Sequence, residues 1–282
     1  MHRLRRLLGA TIVAVLPIAA PASAQEEEQH SSLTVGAGVA IVPSYEGSDD
    51  YRVLPLPQVR GKVKDHSFWT RGASLYVDAI ADPQGAEWDF ELGPMVTARF
   101  DRSSRKAIKD DAVRALGKRD IAVEVGGFVG IGKTGVITSP YDMLSARVAV
   151  AKDVAGAHDS YVVTPQIEYM TPLSRTAFVG LGLSAEYVGK KYGRTYFDIT
   201  PEESVASGLP AYADAGKGSG FKRVSLSLAG GKSLSGDLRQ GWALFAAGSY
   251  SRMLGDYADS PVVAIAGSKN QWVGVVGIGY TF

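Results

Sequence analysis

The last ten residues constrain the fold most. Residues 273–282 read VGVVGIGYTF. Val276, Ile278, Tyr280 and Phe282 fall on one face of a period-2 strand. Val275, Gly277, Gly279 and Thr281 fall on the other. An apolar face ending in aromatics, opposite a face of small residues, is what a membrane β-barrel strand needs: lipid outside, a crowded interior, and an aromatic girdle at the interface. A soluble β-sheet uses the same alternation with its apolar face turned inward, so this segment alone leaves both architectures open.

The N-terminus favours the barrel, together with the terminal Phe and the strand lengths. Arg3, Arg5 and Arg6 precede an apolar run over 7–20, and Ala22-Ser23-Ala24 forms a small-residue cleavage site before Gln25. This is the three-part pattern of a secretory signal peptide, and its apolar run is too short to span a bilayer as a helix. The expectation is a signal peptide, 1–24, followed by a single barrel domain, 25–282, in the outer membrane of a Gram-negative bacterium. After cleavage 27 basic groups face 29 acidic ones, a near-neutral balance that argues against nucleic acid. With no Cys, an exported chain has neither a disulfide framework nor thiolate chemistry. Gly is 33 of 282 residues, well above the usual ~7% and without a collagen-like period. Glycines along β segments suit a closed barrel, where backbones crowd and bend.

Most of the remaining chain parses into strands of membrane-crossing length. In 89–100, Phe90, Leu92, Pro94, Val96, Ala98 and Phe100 oppose Asp89, Glu91, Gly93, Met95, Thr97 and Arg99. In 121–131, Val123, Val125 and Val129 oppose Glu124, Gly126 and Gly130. In 176–188, Val179, Leu181, Leu183 and Tyr187 oppose Gly180, Gly182, Ser184 and Glu186. Similar patterns cover 33–42, 144–151, 161–169, 224–230 and 242–250, with weaker ones at 53–60 and 68–79. The polar faces carry charges of both signs: Glu91, Arg99, Glu124, Arg147, Glu168 and Glu186. With the last segment this makes eleven strands. A barrel with both ends in the periplasm needs an even number. The expectation is an all-β transmembrane antiparallel barrel of twelve strands, with ten as the fallback and the missing strand between residues 61 and 141. Residues 101–118, 190–220 and 252–269 resist strand assignment and fall on the extracellular side, where such barrels keep their long loops. Ile108, Ala112, Val113, Ala115 and Leu116 suggest a short helix in the first of them.

Three local patterns raise other chemistries. Residues 127–134, GFVGIGKT, match the phosphate-loop pattern. That pattern needs a following helix, and Gly135, Val136, Ile137, Thr138 and Pro140 form helices poorly. No nucleotide partner is expected. His158-Asp159-Ser160 contains the residue types of a hydrolytic triad, but successive residues in extended chain do not converge on one site. A hydrolase at the barrel rim would need His30, His66 or His158 beside a Ser or Asp. Asp49-Asp50 and Glu202-Glu203 read as solvated loop charges. The expectation is no enzyme, no cofactor, no metal site, and no catalytic residue.

Residues 45–57 read YEGSDDYRVLPLP, an acidic turn leading into a strand in which Pro55 and Pro57 share one face and each removes a ladder donor. Tyr45-Glu46-Gly47-Ser48-Asp49-Asp50-Tyr51 followed by Leu54-Pro55-Leu56-Pro57 resembles the hallmark of the MipA/OmpV outer-membrane family, the MltA-interacting proteins. Tyr196-Phe197, Thr200-Pro201 and Ser207-Gly208-Leu209-Pro210 are similar to its long-loop signature. Ser260-Pro261-Val262-Val263 with Gly267-Ser268 is similar to its last loop, and Gly279-Tyr280-Thr281-Phe282 to its terminus. Asp198 departs from the small residue expected in the long loop. The resemblance implies a barrel without a catalytic site. It implies a scaffold joining a murein transglycosylase to a peptidoglycan synthase, or else a small-solute porin or an adhesin. It supplies no ligand residues.

Overall fold

The computed structural model describes residues 31–83 and 88–282. The signal peptide expected at 1–24 lies outside them. The chain forms one closed antiparallel barrel of twelve strands. These are β1 (Ser32–Pro43), β2 (Tyr51–Val63), β3 (His66–Arg71), β4 (Ser74–Val77), β5 (Trp88–Arg99) and β6 (Ala122–Thr134). Next come β7 (Met143–Asp153), β8 (Tyr161–Ser174), β9 (Ala177–Val188), β10 (Gly220–Ser233), β11 (Gly241–Met253) and β12 (Asn270–Thr281). Each strand pairs with its sequence neighbours, and β1 closes on β12 from Thr34↔Thr281 to Ile41↔Gly274. The strand hidden between residues 61 and 141 comes from the weak 68–79 segment. It folds back at Gly72, where φ is +58°, into the short hairpin β3–β4.

The face assignments hold along the long strands. Leu181 and Leu183 are 52% and 49% exposed, whereas Gly182 between them is buried. Val276 and Ile278 are exposed on the outside of β12, with Gly277 and Gly279 pointing in. An inward Cβ at Gly277 would lie 2.2 Å from the Phe245 ring, so the lumen has no room there for a side chain. Aromatic pairs mark both rims, Tyr250–Trp272 at one end and Trp242–Tyr280 at the other. Among the described residues no helix is long and apolar enough to cross a membrane.

The long connections all emerge at one end, and they are folded. Residues 101–121 contain α1 (Asp111–Ala115), which matches the short helix expected near Val113. Residues 189–219 contain α2 (Lys190–Tyr196) and α3 (Pro201–Ser207). Residues 254–269 contain α4 (Gly255–Asp259) and α5 (Pro261–Ala264). The sequence specifies α3 locally. Thr200 and Glu203 form a reciprocal capping box, Pro201 opens the first turn, and Gly208 ends it with φ +76°. These segments bury two apolar clusters over the mouth. One joins Tyr192, Phe197, Tyr257 and Val263; the other joins Tyr45, Ile108, Val113, Leu209 and Val262.

Candidate functional site: a charge-latched mouth

All six charges read from the polar strand faces point into the lumen, where they form two layers. Nearer the middle, Arg147 is bidentate on Glu91, with Nε–Oε2 at 2.5 Å and Nη2–Oε1 at 2.7 Å. Its guanidinium lies 4.7 Å from the Trp69 ring centroid and 5.5 Å from that of Phe128. Arg71 reaches across from β3 to Gln166 and Glu168 on β8. Planar stacking and fork geometry explain why Arg rather than Lys serves here.

The second layer lies under the loops. Glu46, on the β1–β2 loop, dips into the barrel. Its Oε1 accepts from Lys222 Nζ at 2.6 Å and Arg99 Nη1 at 3.3 Å, and its Oε2 accepts from the Tyr192 hydroxyl at 2.7 Å. Lys222 also lies 2.6 Å from Glu186, which pairs with Arg223. Arg99 holds Glu124 through Nε at 2.8 Å and Nη2 at 3.2 Å. Glu124 then accepts from His158 Nε2 at 3.1 Å, while His158 Nδ1 accepts from the Ser160 N–H at 3.2 Å. Three carboxylates meet three cations, so the cluster is neutral as a unit.

A β-bulge makes this possible. The β9–β10 register runs Phe221↔Tyr187 and then Arg223↔Glu186, skipping Lys222. Two residues oppose one, and Lys222 and Arg223 both turn inward while Phe221 faces out. The Lys222 side chain is fully buried. Sequence reasoning missed both residues. The available signal was a Lys-Arg pair directly after an outward aromatic, a break in alternation that only a bulge reconciles.

Burial alone would raise the Glu46 carboxyl, but Lys222, Arg99 and Arg223 outweigh it and hold it at about 2. Burial pushes the Tyr192 hydroxyl well above its ordinary value, so it stays a donor to Glu46. Asp101 is pushed up by burial and by nearby Glu46 while it accepts the Glu46 N–H at 2.7 Å. Arg102, buried and close to Arg119, is lowered to about 10 and donates to the Tyr196 carbonyl at 2.5 Å.

The loop stretches that carry the family resemblance meet at this mouth, whereas residues 279–282 lie at the opposite rim. The Tyr45 hydroxyl donates to the Val262 and Ala266 carbonyls. The Gly47 carbonyl accepts from the Ser268 N–H at 2.7 Å, and Ser260 Oγ donates to the Phe197 carbonyl at 2.5 Å. Asp198 accepts the Gly216 N–H at 3.1 Å, which ties the segment after α2 to the return of the long loop.

The other sequence patterns lie apart. Residues 127–134 form the second half of β6, Lys133 sits 4.7 Å over the Trp88 ring, and a turn rather than a helix follows. His158, Asp159 and Ser160 point different ways: His158 inward to Glu124, and Asp159 outward to Lys191. His66 opens β3, and His30 lies outside the described residues. Glu203 caps α3 and pairs with Arg119 at 2.9 Å, whereas Glu202 is exposed. Among the described residues no group of three or more His, Asp or Glu side chains could hold a metal ion.

Solved barrels resemble the chain only distantly. CymD, a monoaromatic hydrocarbon channel, is 10% identical at TM-score 0.35, covering 89% of this chain and 88% of its own. The toluene transporter TodX of Pseudomonas putida is 9% identical at TM-score 0.32, covering 89% and 88%. The toluene transporter TbuX of Ralstonia pickettii is 9% identical at TM-score 0.32, covering 89% of each chain. Likeness at this level carries no argument about substrate. No curated protein matches the chain. The family model for the MltA-interacting protein MipA matches residues 35–282, which takes in the mouth, its latch and every strand of the barrel. The chain therefore belongs to the MipA family.

Proposed function

We propose that this barrel is a non-enzymatic outer-membrane scaffold for peptidoglycan-remodelling enzymes rather than a conduit. The observation that carries the reading is the interior. The lumen charges are tied to one another in two layers, and folded loops cover the mouth. A wide water-filled pore needs its lining charges free to meet solute. The family description, which names an MltA-interacting protein, supports a murein transglycosylase as one partner. A peptidoglycan synthase would be the second.

The opposite end offers a rigid contact for such a partner. In the turn after β6, the Asp142 carboxylate accepts the N–H groups of Val136 at 2.6 Å, Ile137 at 2.9 Å and Ser139 at 3.2 Å. It also accepts from Thr138 N–H and from the Tyr169 hydroxyl at 2.9 Å. Burial would raise this carboxyl, but these donors hold it well below the usual carboxylate range. The caged turn displays Ile137 and Tyr141, 64% and 75% exposed. A pre-ordered turn bearing apolar and aromatic side chains loses little entropy on binding. With the long loops outside, it points into the periplasm.

Pull-down from crosslinked envelopes tests the reading. The native chain should recover a murein transglycosylase, and Ile137→Ala/Tyr141→Ala should lose it while keeping outer-membrane fractionation and heat-modifiable gel mobility. Equal recovery by both would remove the turn from the interface. Recovery of no murein enzyme by the native chain would overturn the scaffold.

A further inference from the structure

The barrel wall has one weak seam. β2 pairs with β1 along its whole length, from Ser32↔Lys62 to Pro43↔Tyr51. On its other side it pairs with β3 only from Arg60↔Trp69 to Val63↔His66. The β3–β4 hairpin turns back at Gly72, so among the described residues the β3-facing edge of 51–57 has no ladder partner. Val59 fixes which backbone groups face this edge. Its N–H donates to Thr70 Oγ1 on β3 at 2.9 Å, and its carbonyl accepts from the same hydroxyl at 3.2 Å. Backbone groups two residues apart point the same way in a strand. The open edge is therefore formed by Val53, Pro55 and Pro57, of which the two prolines have no N–H to leave unpaired.

The seam lies at the height of the hydrocarbon. Val59 pairs with Val35, which pairs with Tyr280 of one aromatic rim. Val53 pairs with Ile41, which pairs with Gly274, two residues from Trp272 of the other rim, so the segment runs between the two rims. Unpaired donors there would be costly, because lipid tails accept no hydrogen bond. Prolines at these two positions lower that cost by removing two donors, which leaves the Val53 N–H and the carbonyls of Val53, Pro55 and Pro57 on the edge. The prolines also prevent the edge from templating another β-strand, which excludes strand addition by a protein partner. Both faces of the segment are apolar. Val53 and Pro55 are exposed outward, and Leu54 and Leu56 point into a lumen that β1 and β12 line with glycines. Leu54 remains 36% exposed.

We infer that the seam beside β2 is a lateral lipid site: a membrane acyl chain lies along the Pro55–Pro57 edge and reaches the lumen-facing Leu54 and Leu56. The site is independent of the scaffold reading, since it uses neither the mouth nor the Asp142 turn.

The chain has no Cys, so single-cysteine spin labelling is clean. Leu54→Cys is labelled with a nitroxide in diacyl-phosphatidylcholine bilayers. Collision with oxygen, which concentrates in hydrocarbon, is compared with collision with a water-soluble nickel chelate. Leu228→Cys on the lipid face and Ser227→Cys in the lumen calibrate the scale. The label at 54, although on the lumen face, should match Leu228→Cys, with oxygen collisions exceeding nickel collisions several-fold. Leu56→Cys should show the same pattern and serves if the first variant misfolds. Nickel-dominated collisions would mean a water-lined gap, and protection from both reagents would mean a closed wall. Spin–spin broadening between copies would mean a protein partner. Each of these three results would overturn the site.

Discussion

The wall and the mouth of this barrel obey opposite rules. The wall repeats one instruction every two residues: apolar out, small or polar in. Each strand needs only its neighbours, and a single substitution meets either lipid or lumen. The mouth has no period. Glu46, Arg99, Glu124, His158, Glu186, Tyr192, Lys222 and Arg223 come from seven separate stretches of chain, and each is held by others far away in sequence. A periodic structure tolerates local damage, whereas a neutral ionic cluster becomes unbalanced when one member is removed. The two regions should therefore respond differently to mutation.

The sharpest contrast is at Lys222. Lys222→Met leaves Glu46 and Glu186 buried with one fewer cation, and breaking a buried pair from one side costs about 3–5 kcal/mol. Reversible unfolding in lipid should show this loss. Glu46→Gln added to Lys222→Met should recover part of it, because the orphaned charge is then gone. A loss under about 1 kcal/mol would mean that water, not protein, solvates the cluster.

The wall comes next. Leu181→Arg places a charge against lipid and should cost roughly 2–4 kcal/mol at mid-membrane, falling toward the interfaces. Ser184→Arg on the opposite face should cost clearly less. Equal costs would mean that the lumen at β9 is packed as tightly as a soluble core.

How much was legible follows the same division. Alternation gave the strands, the pairing of Leu181 with Leu183 on one face, and all six charges on the other, because period 2 is a local signal; the export signal, the strand lengths and the terminal Phe decided which face meets lipid. It could not give β3–β4, since a hairpin of a six- and a four-residue strand reads as one weak strand when the turn at Gly72 goes unrecognised. The mouth was half legible. Tyr45-Glu46-Gly47 stood out as a motif, but the pairing of Glu46 with Lys222 spans 176 positions and leaves no local trace. The bulge at Lys222 hid the site further by reversing the face rule at the one place that matters most.

Smaller effects probe how tightly the mouth is closed. Gly47 has φ +94°, and an added Cβ would lie 2.4 Å from Val263 Cγ2. Gly47→Ala should cost about 1–3 kcal/mol through overpacking and backbone strain. Thr200→Ala removes one half of the α3 capping box and should cost about 1 kcal/mol, reported by hydrogen exchange in α3 more than by global unfolding. Acid should act on the mouth before the wall. The Glu46 carboxyl sits near 2 when folded against an ordinary 4.5, so its stabilisation is full above pH 4.5 and fades as pH falls toward 2. Proteolysis of the loops in that window, with the strands still protected, would show it.

The central claim is that the Glu46–Lys222–Glu186 latch keeps the lumen shut. Single-molecule conductance in planar bilayers tests it most directly. At neutral pH the native protein should give no stable steps, and Lys222→Met should show openings. Steady ohmic steps from the native protein, unchanged in Lys222→Met, would contradict the account.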